Sequence, residues 1–295
     1  MGSSIGKYLK EHAVEVSGYY SRTKSSAVWA AGFTESKSYA DMGELIADSD
    51  VVCISTNDGA IGEVWNLVRK YNLSNKIISH FSGSLSIDVF SNWEQTGCEV
   101  CSIHPMFAFS DKESAYQQLN HVMFTMEGSK SALLAMKALF ESFGNSVVVI
   151  PGEKKMLYHA AASLMSNHLM GLLKTSVDML KESGFEEEQA YRLLEPLATN
   201  NLRNAFANGA AAALTGPIER GDIDTVRKHL SCMNEEQKAV YRALGPQVVK
   251  LAIEKNVKTV QKQTDIAEGK AAHACAVSDR MDAYNEIENI INNNH

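Results

Sequence analysis

Short apolar runs alternate with amphipathic stretches from residue 14 to residue 150, and this rhythm limits the possible folds more than any other feature of the chain. The runs are 14–20, 51–55, 76–81, 99–103, 121–126 and 146–150. Between them Ile61, Val64, Trp65 and Val68 recur at helical spacing, as do Leu133, Met136, Leu139 and Phe140. Strand, helix, strand repeated in this way predicts an α/β chain with a doubly wound, mostly parallel, Rossmann-like sheet. Such sheets bind ligands in the crevice at the carboxyl ends of their strands.

From Pro151 onward the strand signals stop. Helices are expected over 154–180, 186–208, 223–233 and 235–256, with a last one near 281–291 and a frayed Asn-Asn-Asn-His end. The expected organisation is a sheet domain over 1–150, an all-α domain over 151–256 and a polar, partly helical tail over 257–295. Within 154–180, Met156, His159, Ser163, Ser166 and Met170 form one stripe, and most of the remaining positions are apolar. A helix apolar nearly all round is expected to be buried, with its polar side chains satisfied inside.

The 295 residues carry 28 Lys and Arg against 35 Asp and Glu, a net charge of -7. That balance leaves no global electrostatic footprint for nucleic acid or an anionic membrane. No apolar run approaches the ~20 residues needed to span a bilayer. Residues 1–10 hold no apolar signal core, so a cytoplasmic protein is expected. The five cysteines are scattered and odd in number, which is no disulfide framework. Cys98, Cys101 and His104 suggest a metal, but no further ligands complete a set, and a strand there would point Cys98 and Cys101 to opposite faces. No metal is expected.

A dinucleotide-binding sheet opens with a strand followed by G-x-G-x-x-G. This chain opens with Met1-Gly2-Ser3-Ser4-Ile5-Gly6, which leaves two readings. Gly2 is the last glycine of a fingerprint whose first strand and first two glycines are missing, with 14–20 as the second strand. Alternatively, 1–10 is a plain N-terminal helix. Tyr20-Ser21-Arg22-Thr23, directly after 14–20, favours the first: Arg at this position accommodates the 2′-phosphate of NADP, and Ser and Thr hydroxyls add donors. On that reading the chain as written binds NADPH poorly and is less stable than a longer version.

Other strand ends carry polar groups. Ser55-Thr56-Asn57-Asp58 ends one run, and Asn57 or Asp58 can cap the helix that follows. His80-Phe81-Ser82-Gly83-Ser84 and His104-Pro105-Met106-Phe107 end the next strands, so two histidines and a serine converge on the crevice. Histidine is the usual acid or base near neutral pH, although a buried structural histidine is equally compatible with the sequence. On the long helix, His159 is either a satisfied core residue or a participant, with Asn167 just off its stripe. Further on, Gly216-Pro217 signals a turn, Asp222 can cap the next helix, and Arg220 is a candidate anchor for an anion.

Taken as an ordered set, these segments resemble a bacterial family of oxidoreductases that joins a Rossmann-like NADP-binding domain to a helical domain of unknown function. The resemblance rests on Tyr20-Ser21-Arg22, His80-Phe81-Ser82-Gly83, His104-Pro105-Met106 with Phe109, Tyr158-His159-Ala160-Ala161-Ala162 with Ser166-Asn167, Ala213 to Ile218 with Arg220-Gly221-Asp222, and Tyr241 to Gly245. The helical half is similar to the carboxyl-terminal domain of 6-phosphogluconate and ketopantoate dehydrogenases, which implies a homodimer paired through it. His104-Pro105-Met106-Phe107 is also similar to a prephenate dehydrogenase motif whose histidine bonds the substrate hydroxyl with help from a serine matching Ser82. In that likeness His159 matches a histidine of the second domain. Ala108 stands where that motif has Gly, and no substrate-carboxylate arginine matches, so prephenate itself is not the expected substrate.

The resemblance implies an NADP-dependent enzyme that moves hydride to or from a small polar, anionic hydroxy, keto or imine substrate held between the sheet and the helical domain. His104 is expected to exchange the proton, Ser82 to orient it, and His159 and Asn167 to hold the substrate. Cofactor contacts are expected from Gly2, Ser21, Arg22, Thr23, Ser55, Thr56, Asn57 and Ser82, and substrate contacts from Arg220, Ser163 and Ser166. The competing class is a non-catalytic nucleotide-binding or sensor protein on the same fold, because fold does not fix function.

Overall fold

A parallel strand pair needs a crossover, usually a helix, and the first half of the chain supplies one for most of its pairs. The computed structural model describes residues 1–264 and 270–292. In chain order come α1 (Gly2–Glu11), β1 (Gly18–Tyr19), α2 (Lys24–Thr34), β2 (Lys37–Ser38), α3 (Met42–Ala47), β3 (Val51–Ile54), α4 (Asp58–Val68), β4 (Ile77–His80), β5 (Glu99–Pro105), β6 (Phe124–Gly128), α5 (Lys130–Ser142) and β7 (Val147–Val149). Five strands form one sheet in the order β3-β4-β5-β6-β7, parallel except for the antiparallel β5–β6 pair, and β1 and β2 form a separate parallel pair. The doubly wound, mostly parallel sheet read from the sequence is present.

In the doubly wound order the first strand lies between the second and the fourth. Among the described residues no strand links β1 to β3, and the two sheets are separate. Helix α1 lies close to both flanks: a Cβ on Gly2 would come within 2.3 Å of Ser55 Oγ, and one on Gly6 within 1.8 Å of Tyr19 Oη. Both close approaches require glycine. The strand expected over 14–20 shrinks to Gly18–Tyr19, because β2 is the one ladder offered to it and strands need partners for their N–H and C=O groups. The strand expected over 121–126 starts later, at Phe124, because Ala115–His121 coils into a short 3₁₀ segment.

The sheet buries a different apolar cluster on each side. One joins Ile5 and Tyr8 of α1 to Cys101, Ile103, Phe124, Met136 and Phe140. The other joins Ile61, Trp65 and Val68 of α4 to Ile54, Ile78, Phe90 and Cys98. Cys98 and Cys101 thus fall in separate clusters, as strand alternation requires.

The second half is helical: α6 (Lys155–Ser163), one π-helical turn (Leu164–His168), α7 (Leu169–Glu182), α8 (Glu187–Asn208), α9 (Ala210–Ala213), α10 (Pro217–Arg220), α11 (Ile223–Cys232), α12 (Glu235–Thr264) and α13 (Lys270–Asn292). Asp222 caps α11 as expected, its Oδ1 accepting from the Thr225 N–H at 3.1 Å. The chain packs as two compact units, Met1–His168 and Leu169–His295. Helix α6 therefore belongs with the sheet, although the boundary expected from sequence fell at 150.

One expectation is corrected here. The helix expected to be buried all round is not: Met156, Leu157, Leu164 and Met165 are each more than half exposed, because the Lys155 and Tyr158 side of α6 is the one packed on the sheet. The helix expected near 281–291 is part of α13. Tyr284, Ile287 and Ile291 of α13 are fully buried in the core of the helical unit, against Val226 and Val249. The frayed end expected at the last residues falls on 293–295, outside the described residues. No helix among the described residues is long and apolar enough to cross a membrane.

Candidate active site

Two groups of polar residues gather in the sheet unit, both at the carboxyl ends of strands. The first surrounds a cavity of about 720 Å³. Gly2 reaches it from α1, Tyr20, Ser21, Arg22 and Thr23 from the loop after β1, and Ser55, Thr56 and Asn57 from the loop after β3. The loop after β1 leads directly into α2, so the first-turn N–H groups and the Ser25 and Ser26 hydroxyls of α2 are donors near Arg22. Asn57 holds the N-cap position of α4, as expected, although without a side-chain cap bond, and the Asp58 side chain is engaged elsewhere. Its carboxylate instead accepts from the Ser82 hydroxyl at 2.7 Å and the Ser84 hydroxyl at 2.8 Å.

The second group lies at the ends of β4 and β5. His80 is fully buried. Its Nδ1 accepts from the Ser82 N–H at 3.1 Å, so the ring proton sits on Nε2, which faces the Ser86 carbonyl at 3.4 Å. Burial, with the Lys155 charge nearby, lowers its pKa to about 4. His80 is a neutral clamp on the turn that follows β4, which decides one of the two histidine readings.

Ser82 is likewise committed. Its hydroxyl donates to Asp58 and accepts from the N–H groups of Ser84 at 3.2 Å and Leu85 at 3.0 Å. Donor and acceptors of the hydroxyl expected to contact substrate and cofactor are thus all engaged within the loop. Ser82 serves the site through its carbonyl, which accepts from Lys155 Nζ at 3.1 Å.

His104 points to the other side of that loop. Its Nδ1 meets the Tyr158 hydroxyl at 2.7 Å, with the rings perpendicular. When the phenol donates, Nδ1 accepts and Nε2 carries the proton. Burial first, then the charge of Lys155, brings its pKa to about 4, so it is neutral at pH 7. The His159 ring lies 6.3 Å away. Gly83 sits between the two imidazoles: a Cβ there would come within 2.7 Å of His104 Nε2 and 2.9 Å of His159 Cδ2. The loop after β4 can pass between the histidines because position 83 has no side chain.

Lys155 is the residue the sequence reading missed. It opens α6, is 1% exposed, and donates to the Ser82 carbonyl and the Ser102 hydroxyl. Burial lowers its pKa from 10.5 to about 8. The available signal was its position one turn before His159, which puts both on one face of the helix.

Other expected residues are not gathered here. Ser166 donates its hydroxyl proton to the Ala162 carbonyl at 2.8 Å. Ser163 is half-buried and Asn167 exposed, further along the helix from His159. The π-helical turn that holds Ser166 and Asn167 is a feature often found at functional sites. Arg220 is exposed at the end of α10, in the other unit. Among the described residues no cluster of His, Cys, Asp or Glu could hold a metal ion.

Residues 122–248 match the domain of unknown function DUF2520. The matched segment begins just ahead of β6 and ends inside α12. Among solved structures, a protein from Thermotoga maritima is 26% identical, with a TM-score of 0.70 over 86% of this chain and 96% of its own. One described as a "putative NADP oxidoreductase" from Bacteroides fragilis is 20% identical, with a TM-score of 0.66 over 85% of this chain and 93% of its own. An imine reductase from a Pseudomonas species is 14% identical, with a TM-score of 0.59 over 88% and 91%. No curated protein matches the sequence. The architecture expected from the resemblance is borne out: a Rossmann-like sheet is followed by a helical region, and the matched domain spans the end of the one and much of the other.

Proposed function

We propose that the protein is an NADP-dependent oxidoreductase acting on a small polar, anionic hydroxy, keto or imine substrate. One observation carries this reading. Gly2, residues 20–23 and residues 55–57, distant in sequence, line a single cavity at the carboxyl ends of β1 and β3. The residues fit a dinucleotide: Gly2 leaves the backbone bare for close approach, serine and threonine hydroxyls offer donors, and Arg22 is in no ion pair among the described residues.

When bound, the nicotinamide supplies or accepts the hydride. The chain's own residues manage the charge and the proton. His104 is oriented by Tyr158 at Nδ1 and offers Nε2–H to the substrate oxygen or nitrogen. Lys155 holds a positive charge beneath the loop, where negative charge on that atom is stabilised in a poorly solvated site. Its carbonyl and hydroxyl partners fix it in place, and Asp58 fixes the loop through Ser82 and Ser84. His159 borders the other side of Gly83 and is assigned to the substrate. The test is to follow NADPH absorbance across a panel of keto acids and cyclic imines. Turnover of at least one supports the enzyme; binding of NADPH with no turnover across the panel supports a sensor.

The protein also pairs with a second copy through its helical unit. Leu193, Leu197 and Phe206 of α8 are 50%, 60% and 81% exposed, and exposed apolar faces of this kind mark association sites. Light scattering is expected to give a dimer for the intact chain and a monomer for Phe206→Glu; a monomeric parent refutes the pairing.

A further inference from the structure

The cavity at the ends of β1 and β3 has a second cation that comes from a distant part of the chain. Lys112 lies in the connection after β5, yet lines this cavity together with Arg22. Its backbone is pinned, because the buried Ser4 hydroxyl in the first turn of α1 donates to the Lys112 carbonyl at 2.9 Å. Its ammonium rests 3.8 Å from the centre of the Trp29 ring, on α2. Neither Lys112 nor Arg22 is in an ion pair among the described residues, and Glu63 is the one carboxylate in the lining. In a chain of net charge -7, the lining itself carries two cations against one carboxylate.

We propose that Lys112 is a second phosphate-binding cation of the nucleotide cavity, resting on Trp29 until a phosphate of the ligand takes its ammonium. The inference builds on the nucleotide reading above and adds a residue to it. A cation over an aromatic face at a solvent-accessible site is held weakly. A charge-assisted bond to phosphate is stronger, so the ammonium transfers when the ligand arrives. The lysine stem can make the move alone, since it is flexible and the backbone at Lys112 is tied to α1. Arg22 and Lys112 approach from different loops, so together they neutralise a ligand with more than one negative group. The phosphate concerned is either the 2′-phosphate or the pyrophosphate.

The test is calorimetric titration of the intact chain and of Lys112→Ala and Lys112→Arg with NADPH, NADH and 2′,5′-ADP at two salt concentrations. Lys112→Ala is expected to weaken binding roughly ten-fold, the scale of one charge-assisted contact, and to flatten the salt dependence. Lys112→Arg is expected to retain most of the affinity. Loss confined to NADPH and 2′,5′-ADP assigns the 2′-phosphate; equal loss for NADPH and NADH assigns the pyrophosphate. Affinities within two-fold of the parent for all three ligands overturn the role of Lys112 while leaving the nucleotide reading intact. A parent chain that binds none of them overturns both.

Discussion

Replacing Lys155 by Met tests the centre of the site through stability alone. Folding takes the Lys155 amine from a pKa of 10.5 to about 8, because burial penalises the charged form. Below pH 8 the group is protonated folded or unfolded, and the folded protein bears the full cost of holding the charge. Between pH 8 and 10.5 the unfolded chain binds more protons than the folded one, so stability rises with pH. Above 10.5 both states are neutral and the cost is gone. A shift from 10.5 to about 8 corresponds to about 3 kcal/mol at 1.36 kcal/mol per unit. Lys155→Met has no such titration. The stability of the parent minus that of the variant is therefore expected to climb by about 3 kcal/mol from pH 7.5 to 10.5. Other lysines and tyrosines titrate in the same window but cancel in the difference. Trp29, Trp65 and Trp93 all lie in the unit Met1–His168, so urea unfolding followed by tryptophan fluorescence reports on the unit that holds Lys155. A difference that stays flat across the window refutes the buried charge, and with it the electrostatic part of the mechanism.

The remaining predictions concern binding and turnover. The parent is expected to prefer NADPH to NADH, and Arg22→Ala to erase most of that preference, a loss of about 1.5–3 kcal/mol for a charge-assisted contact; equal affinity for both cofactors in the parent removes Arg22 from the 2′-phosphate. His104→Ala is expected to lower turnover by roughly 10²–10⁴-fold while barely changing NADPH affinity; turnover within a few-fold of the parent makes His104 structural. With the His104 pKa at about 4 and that of Lys155 at about 8, the turnover rate is expected to stay level from pH 5 to 7 and to fall above pH 8 as Lys155 loses its charge. A single limb near pH 6.5 contradicts both assignments.

The fold was legible because periodicity reports burial, and burial is what a doubly wound sheet imposes on its strands. The central runs at 51–55, 76–81 and 99–103 correspond to β3, β4 and β5 almost residue for residue. The edges were less legible. Residues 14–16 alternate apolar and polar as a strand would but lie in no ladder among the described residues, and Lys37–Ser38 is too short and polar to stand out. Pairing is a property of the partner as much as of the segment. The same holds for α6 and the π-helical turn beyond it, where apolar residues all round the helix implied burial although the chain leaves much of that face open. Hydrophobic composition alone does not separate a helix packed on one side from one packed all round.

Much of the candidate site was legible by position, but its division of labour was not. His80 and His104 have the same context in the sequence, each ending a strand just before a turn. What separates them is where the second ring nitrogen goes. In His80 both nitrogens are taken up by the backbone of its own turn, Ser82 N–H and Ser86 carbonyl. In His104 one nitrogen is held by Tyr158, 54 residues away, and the other faces Gly83 and His159. Ser82 shows the same dependence in reverse. A serine after a strand reads as a free hydroxyl until Asp58, 24 residues earlier, is found to be its acceptor. Lys155 was hidden for a further reason. A lysine opening a helix reads as solvated, and nothing local announces that the Ser82 carbonyl and Ser102 hydroxyl will close over it. For His104, Ser82 and Lys155 the distinction rests on a hydrogen bond to a residue far away in sequence. A polar group that folding takes from water must find a partner wherever the fold supplies one, so the roles of His104 and Lys155 are set by the packing of α6 on the sheet and that of Ser82 by α4, whereas His80 is held by its own turn.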